Sequence, residues 1–163
     1  MPDPPPEVPS EVPSDPPAEV SPEVPAVALD LADFDAVGVG TDIVIALRIH
    51  AIEHGIDAVA KVSAPDGWHR VVVTARQSGH VILGIRFAPL TASRRKNIMR
   101  ALAERRWTLD DDHDGATATF PPGSEAIDAA FELLGVLSAR GAPTDVRTVT
   151  AHDGNGNPVP LQA

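Results

Sequence analysis

The chain has 163 residues, contains no cysteine and carries a formal net charge of −10. This length suits one domain, and without cysteine the chain can form neither a disulfide nor a thiolate metal site. The N-terminus lacks the basic and apolar regions of a signal peptide, and no apolar run is long enough for a transmembrane helix. We therefore expect a cytoplasmic protein with no membrane partner.

The negative charge is concentrated in the first third of the chain. Residues 1–47 hold ten acidic residues and no Lys or Arg, whereas residues 48–163 hold thirteen acidic and thirteen basic residues. A neutral folded part lacks the basic surface that phosphate contacts need, so nucleic acid is not expected as the main partner. The excess of Arg over Lys and the many Ala residues are typical of a GC-rich bacterial genome.

Residues 1–29 are predicted to form a disordered, acidic, proline-rich tail. Ten of the seventeen prolines fall within residues 2–25, where Glu-Val-Pro units repeat. Proline removes a backbone hydrogen-bond donor and so opposes both helices and strands. Such a tail can act as a solubilising spacer or as a ligand for a proline-reading domain. We expect a single domain over residues 30–155 and a flexible C-terminus over residues 156–163.

The first half of the domain is predicted to contain a helix and then a three-stranded meander. The helix spans residues 41–54 and ends at Gly55, although its widely spread apolar residues also allow a strand over residues 43–49. Turn sequences rich in Gly, Pro and Ser then separate three segments with the pattern of antiparallel strands, at residues 56–62, 68–75 and 80–87.

The second half is predicted to contain two helices and a strand pair. Thr91 or Ser93 can cap a helix, and Ser124 can cap the last one. Two strands are expected at residues 106–109 and 116–120, and a further short strand is allowed over residues 146–150. The order is therefore α-β-β-β-α-β-β-α, an α+β domain in which helices pack on one face of an antiparallel sheet of about five strands.

The other face of this sheet is the predicted partner-binding surface. Val72, Thr74 and Ile82 point to it and make it partly apolar. Trp68 and Trp107 are the two tryptophans of the chain. Each can anchor the core or contact a partner, because tryptophan is enriched at interface hot spots.

Two sequence motifs allow a metal site. His50-Ala51-Ile52-Glu53-His54 matches the H-x-x-E-H pattern, in which two imidazoles on one helix face bind zinc and the Glu acts as a base. Asp110–Gly115 matches the start of a calcium loop, but Pro121 occupies the position where that loop needs a Glu. A solvated helix and a charged turn explain both motifs, so no metal or other cofactor is expected.

Basic residues cluster around the second helix, at Arg94, Arg95, Lys96, Arg100, Arg105 and Arg106. Such a run can contact phosphates, hold the acidic tail of the same chain or a second chain, or form a solvated helix face. No aromatic residues interleave with it to stack on bases.

The element order resembles the type III secretion chaperone-like fold, the Tir-chaperone/YbjN-like superfamily. The local features behind this resemblance are Arg106-Trp107-Thr108-Leu109, the Asp-rich turn, and Gly115-Ala116-Thr117-Ala118-Thr119-Phe120 before a closing helix. The resemblance covers about residues 40–140. It implies a compact domain without catalytic residues, often a homodimer, that binds a protein partner through its sheet or helix surface.

The preferred hypothesis is therefore a non-enzymatic, chaperone-like adaptor or regulatory module with a protein partner. One alternative is a small zinc-dependent hydrolase that uses His50, Glu53 and His54. The other is a nucleic-acid-linked regulatory protein that uses the basic helix.

Overall fold

Seven strands and three helices make up the described part of the chain. The structure is a computed structural model, and it describes residues 2–5, 25–64, 70–86, 92–111, 115–138 and 146–162. In chain order the elements are β1 (Val27–Asp30), α1 (Ala36–His54), β2 (Ala58–Ser63), β3 (Arg70–Ala75), β4 (Val81–Arg86), α2 (Ala92–Ala103), β5 (Thr108–Leu109), β6 (Gly115–Phe120), α3 (Ala126–Ser138) and β7 (Val146–Asp153).

All seven strands belong to one antiparallel sheet with the order β1-β7-β2-β3-β4-β6-β5. Strands β2, β3 and β4 form a meander, and Gly79 has the positive φ of 88° that the turn between β3 and β4 requires. Strand β7 returns from the end of the chain and inserts between β1 and β2.

The predicted sheet of about five strands and the predicted order α-β-β-β-α-β-β-α are therefore wrong. The order is β-α-β-β-β-α-β-β-α-β, because β1 precedes the first helix and β7 follows the last one. Strand β1 is four residues long and follows the proline-rich stretch, so its own sequence gives little signal. The segment forms a strand because it pairs with β7, with Val27 opposite Val149.

Alternation along the strands separates the two faces of the sheet. The buried face of the meander strands consists of alanine and branched aliphatic residues that pack with α1 and α3 in a single core cluster. On the three meander strands these residues are Ala58, Ala60, Val62, Val71, Val73, Ala75, Val81, Leu83 and Ile85. The residues between them lie on the opposite face, which we call the open sheet face.

Helix α1 begins earlier than its predicted start at residue 41. It runs from Ala36 and ends at Gly55, whose φ of 61° lets its N–H reach the carbonyl oxygen of Ala51. Along its inner side Ile43, Val44 and Leu47 are buried against the sheet. The remaining sides of the helix carry the candidate site.

The packed part of the chain extends into both predicted terminal segments. Residues 27–29 lie in β1 although they fall within the predicted tail. In the predicted flexible C-terminus, Val159 is buried and its N–H donates to the carbonyl oxygen of Ala151 at 3.0 Å. Both segments therefore pack against β7.

None of the helices in the described ranges has the length and apolarity needed to cross a bilayer.

Candidate protein-binding surface

Three of the five predicted partner-binding residues share the open sheet face. Thr74 on β3 lies directly opposite Ile82 on β4, and Val72 lies two residues before Thr74 on the same side. All three side chains are only partly exposed, because cross-strand neighbours flank each of them.

The two tryptophans do not join this group. Trp107 is buried on the helix-covered side, where its indole Nε1 donates to Oε2 of Glu132 on α3 at 3.1 Å. That contact makes Trp107 a core anchor between β5 and α3. Trp68 lies outside the described residues.

The outer side of α1 is unexpectedly apolar. Ile45, Ile49 and Ile52 are 41, 50 and 55% exposed, and their spacing of four and three residues puts them on one helix face. They lie opposite the buried stripe of Ile43 and Leu47. The exposed outer side of a surface helix normally carries polar residues, so this apolar stripe marks a surface that suits a partner.

Helix α3 extends the apolar surface. Ile127 and Phe131 are separated by one turn and are 40 and 55% exposed. The two helices approach closely, since a Cβ added at Gly40 of α1 would lie 3.4 Å from the Cβ of Ala130 on α3. We call the set Ile45, Ile49, Ile52, Ile127 and Phe131 the helix surface.

Arg48 joins the two helices beneath this surface. Its Nη1 donates to the carbonyl oxygen of Ser124, just before α3, at 2.9 Å. Its Nε and Nη2 are buried and have no hydrogen-bond partner among the described residues. The guanidinium is thus turned inward between α1 and α3, and it does not extend into solvent from the helix surface.

A groove of about 460 Å³ runs beside the helix surface, between α1 and the C-terminal segment. We call it the α1 groove. Ile45 and Ile49 line it and so belong to both features, while Val159, Pro160 and Gln162 form the opposite wall. The other lining residues, all from α1, are Asp42, Ala46, His50, Glu53 and His54.

A turn anchored by Asp153 positions the wall of the groove. Its Oδ1 accepts hydrogen bonds from the backbone N–H groups of Asn155 and Asn157 at 2.9 and 3.0 Å. Its Oδ2 lies 3.4 Å from Nε2 of His50 on α1. One carboxylate therefore ties the end of β7, the C-terminal segment and α1 together.

These contacts also set the acidity of Asp153. Desolvation by burial is the largest single influence and raises its pKa. The hydrogen bonds from Asn157, Asn155 and His50 act in the opposite direction and together lower the pKa of Asp153 below its ordinary value of 3.8. The carboxylate is ionised at neutral pH, and the turn depends on that charge.

The H-x-x-E-H motif is not arranged as a zinc site. The rings of His50 and His54 lie with centroids 4.3 Å apart at a tilt of 38°, and His50 faces Asp153. Across the described ranges no three His, Asp or Glu side chains come together in a way that could hold a metal ion. This geometry gives no support to the zinc-hydrolase alternative. Residues 112–114 of the Asp-rich turn lie outside the described residues.

Helix α2 has the pattern of an ordinary amphipathic surface helix. Ile98, Met99 and Leu102 pack against the core, and Lys96 and Arg100 are exposed. This arrangement fits the solvated-face interpretation of the basic run.

The helix surface was missed by the sequence analysis, although its signal was present. The apolar residues of α1 are spread widely round the helix, and this pattern also allows a strand over residues 43–49. On α3, the spacing of Ile127 and Phe131 is that of an apolar stripe which would be expected to face the core. Neither pattern shows how much of each helix the sheet can cover.

Comparisons of the chain with protein-family models, with curated proteins and with solved structures found no match. The resemblance to the type III secretion chaperone-like fold therefore stays a prediction.

Proposed function

We propose that the chain is a non-enzymatic, chaperone-like adaptor that binds a protein partner through the helix surface. The observation that carries this proposal is the exposure of five large apolar side chains on two helices that pack against each other. Contiguous apolar patches are uncommon on proteins that act alone, and they mark sites of association.

The size and chemistry of the surface suit a protein more than a small molecule. Isoleucine and phenylalanine side chains spread along two helices offer a shallow, extended contact, which an amphipathic segment can cover. Each apolar side chain that becomes fully covered contributes on the order of 1 kcal/mol or more. Several together supply enough free energy for a specific complex.

The test is capture of a stoichiometric partner from native host lysate, with three forms of the full chain. The double variant Ile52→Asp/Phe131→Asp places charges on both helices of the helix surface and should lose the partner. Phe34→Asp is the matched control, because Phe34 is a fully exposed aromatic in the turn before α1 and belongs to neither helix.

Thermal unfolding of all three forms shows whether the fold is intact. Retention of the partner by a folded Ile52→Asp/Phe131→Asp variant would overturn the proposal. Loss of the partner by Phe34→Asp as well would show a general effect of added charge, and this too would count against the helix surface.

A further inference from the structure

The α1 groove differs from the rest of the helix surface in its charge. Asp42 and Glu53 are both exposed and both line it, and its described lining contains no Lys or Arg. Between these two acids Ile45, Ala46 and Ile49 form an apolar floor, and His50 lines the groove beside them. Along α1 the groove therefore offers an acid, a mainly apolar floor and a second acid, with His50 and His54 among its lining residues.

The two carboxylates occupy the two ends of the groove. They are eleven residues apart on one helix, which corresponds to three turns and a separation of about 16 Å at 1.5 Å per residue. Eleven residues return to the same helix face, so both acids point into the same groove. An extended peptide rises about 3.3 Å per residue and its side chains alternate between two faces, so only an even spacing puts two of them on the groove side. A spacing of six residues spans about 20 Å, and the flexible stems of Lys side chains can close the small remaining difference.

We propose that the α1 groove binds an extended basic segment of the partner protein, with two Lys or Arg residues six positions apart and apolar residues at the two positions between them that share their face. This inference rests on the proposed function, since it names the partner chemistry that one edge of the helix surface selects. The apolar residues contact Ile45 and Ile49, and the basic residues lie near Asp42 and Glu53.

Charge complementarity argues against a second copy of this chain as the occupant. In a two-fold symmetric contact the same patch faces itself, which would bring Asp42 and Glu53 of one copy towards the same acids of the other. Like charges that meet across an interface oppose association. A basic segment meets the same groove without that cost.

The probe is the capped, fluorescently labelled peptide Lys-Ala-Leu-Ala-Leu-Ala-Lys, which in an extended conformation has both Lys and both Leu residues on one face. It is titrated with the full chain in an anisotropy assay at low salt. A second peptide carries Glu in place of both Lys residues. We expect the Lys peptide to bind and the Glu peptide to bind at least tenfold more weakly. Equal binding of the two peptides, or binding of neither, would overturn the basic-segment proposal.

A pair of charge-neutralising variants locates the contact. Asp42→Asn/Glu53→Gln removes both groove acids and should weaken the Lys peptide about tenfold, since exposed ion pairs contribute little individually. Glu104→Gln/Asp111→Asn removes the same two side-chain types at the β5 edge, across the sheet from the groove. This control pair should change the affinity for the Lys peptide by no more than about twofold. An equal loss of affinity in both pairs would show that only the net charge of the chain matters, and would overturn the location of the site.

Methyl NMR of the isoleucines gives an independent location. The Lys peptide should shift the signals of Ile45 and Ile49 and leave Ile82 on the open sheet face unchanged. A peptide that shifts Ile82 and leaves Ile45 and Ile49 in place would overturn the site. Sedimentation gives the remaining outcome. If the free chain is a dimer, and if Asp42→Asn/Glu53→Gln makes that dimer tighter, then a second copy of the chain occupies the groove.

The two proposals fail separately. If the peptide does not bind while partner capture still needs Ile52 and Phe131, the helix surface stands and the basic-segment inference falls. If capture is insensitive to Ile52→Asp/Phe131→Asp, the proposed function itself falls.

Discussion

The helix surface and the open sheet face both carry apolar side chains, but they expose them to very different extents. Ile82 on the sheet face is only partly exposed, whereas Ile52 on α1 is 55% exposed. In the sheet, Thr74 and Thr119 lie directly opposite Ile82 on the two neighbouring strands and cover its sides. A side chain on the outer face of a helix has no such neighbours, so an apolar residue there leaves more apolar area uncovered.

The two surfaces also differ in charge. On the open sheet face Lys61 and Arg86 are exposed, and the described outward residues of β2, β3, β4 and β6 include no acid. Beside the helix surface the groove carries Asp42 and Glu53. A basic partner is thus expected to prefer the helix side, and the comparison can be tested one surface at a time.

The largest expected effect compares two phenylalanines. Phe120 on β6 is 1% exposed and belongs to the core, whereas Phe131 is 55% exposed. Phe120→Ala should lower the free energy of unfolding by about 3–5 kcal/mol, because it leaves a cavity in the core. Phe131→Ala should cost less than about 1 kcal/mol. Urea unfolding of both variants provides the measurement, and a loss above about 2 kcal/mol in Phe131→Ala would mean that this side chain supports the fold.

The next effect separates the two surfaces in binding. Once a partner has been isolated, Ile52→Asp should weaken its affinity by at least tenfold, because a charge replaces an exposed apolar side chain of the helix surface. Ile82→Asp on the open sheet face should change the affinity by less than about threefold. The reverse ranking, measured by titration calorimetry with folded variants, would return the binding site to the sheet face that the sequence analysis favoured.

Local patterns indicated where most individual helices and strands lie, since alternation and turn residues act over short distances. The turn at Gly79 lies where its Gln77-Ser78-Gly79 sequence predicts it, and α1 ends at Gly55. The sheet was mispredicted because β1 and β7 pair across more than a hundred residues. Nothing in a four-residue segment such as Val27–Asp30 specifies that pairing.

The candidate site was harder to predict for a related physical reason. The sequence shows that Ile45 and Ile52 share a helix face, but it does not show which face the sheet covers. That depends on how α3 packs against α1, through contacts such as Gly40 with Ala130 and Arg48 with Ser124. The groove also requires the C-terminal segment to pack against β7, where the backbone N–H of Val159 donates to the carbonyl oxygen of Ala151.

The smallest expected effect concerns the wall of the α1 groove that the C-terminal segment forms; the open sheet face has no equivalent wall among the described residues. Asp153 holds the C-terminal segment against α1, and the folded state lowers its pKa below 3.8. Because the pKa of Asp153 is lower in the folded chain than in the unfolded chain, its charged form stabilises the fold at pH values above the unfolded-state pKa. This contribution disappears as the pH falls through the folded-state pKa. Asp153→Asn should therefore lower Tm by a few degrees at pH 7, and the difference from the unmodified chain should shrink as the pH falls below about 4.

Glu104→Gln is the control for this experiment, because Glu104 is an exposed acid at the far edge of the sheet. It should leave Tm nearly unchanged at neutral pH. Asp153→Asn should also weaken the Lys peptide if the wall formed by Val159 and Pro160 shapes the α1 groove. A variant with a lower Tm and unchanged peptide affinity would show that α1 alone binds the segment, and that the C-terminal wall only stabilises the fold.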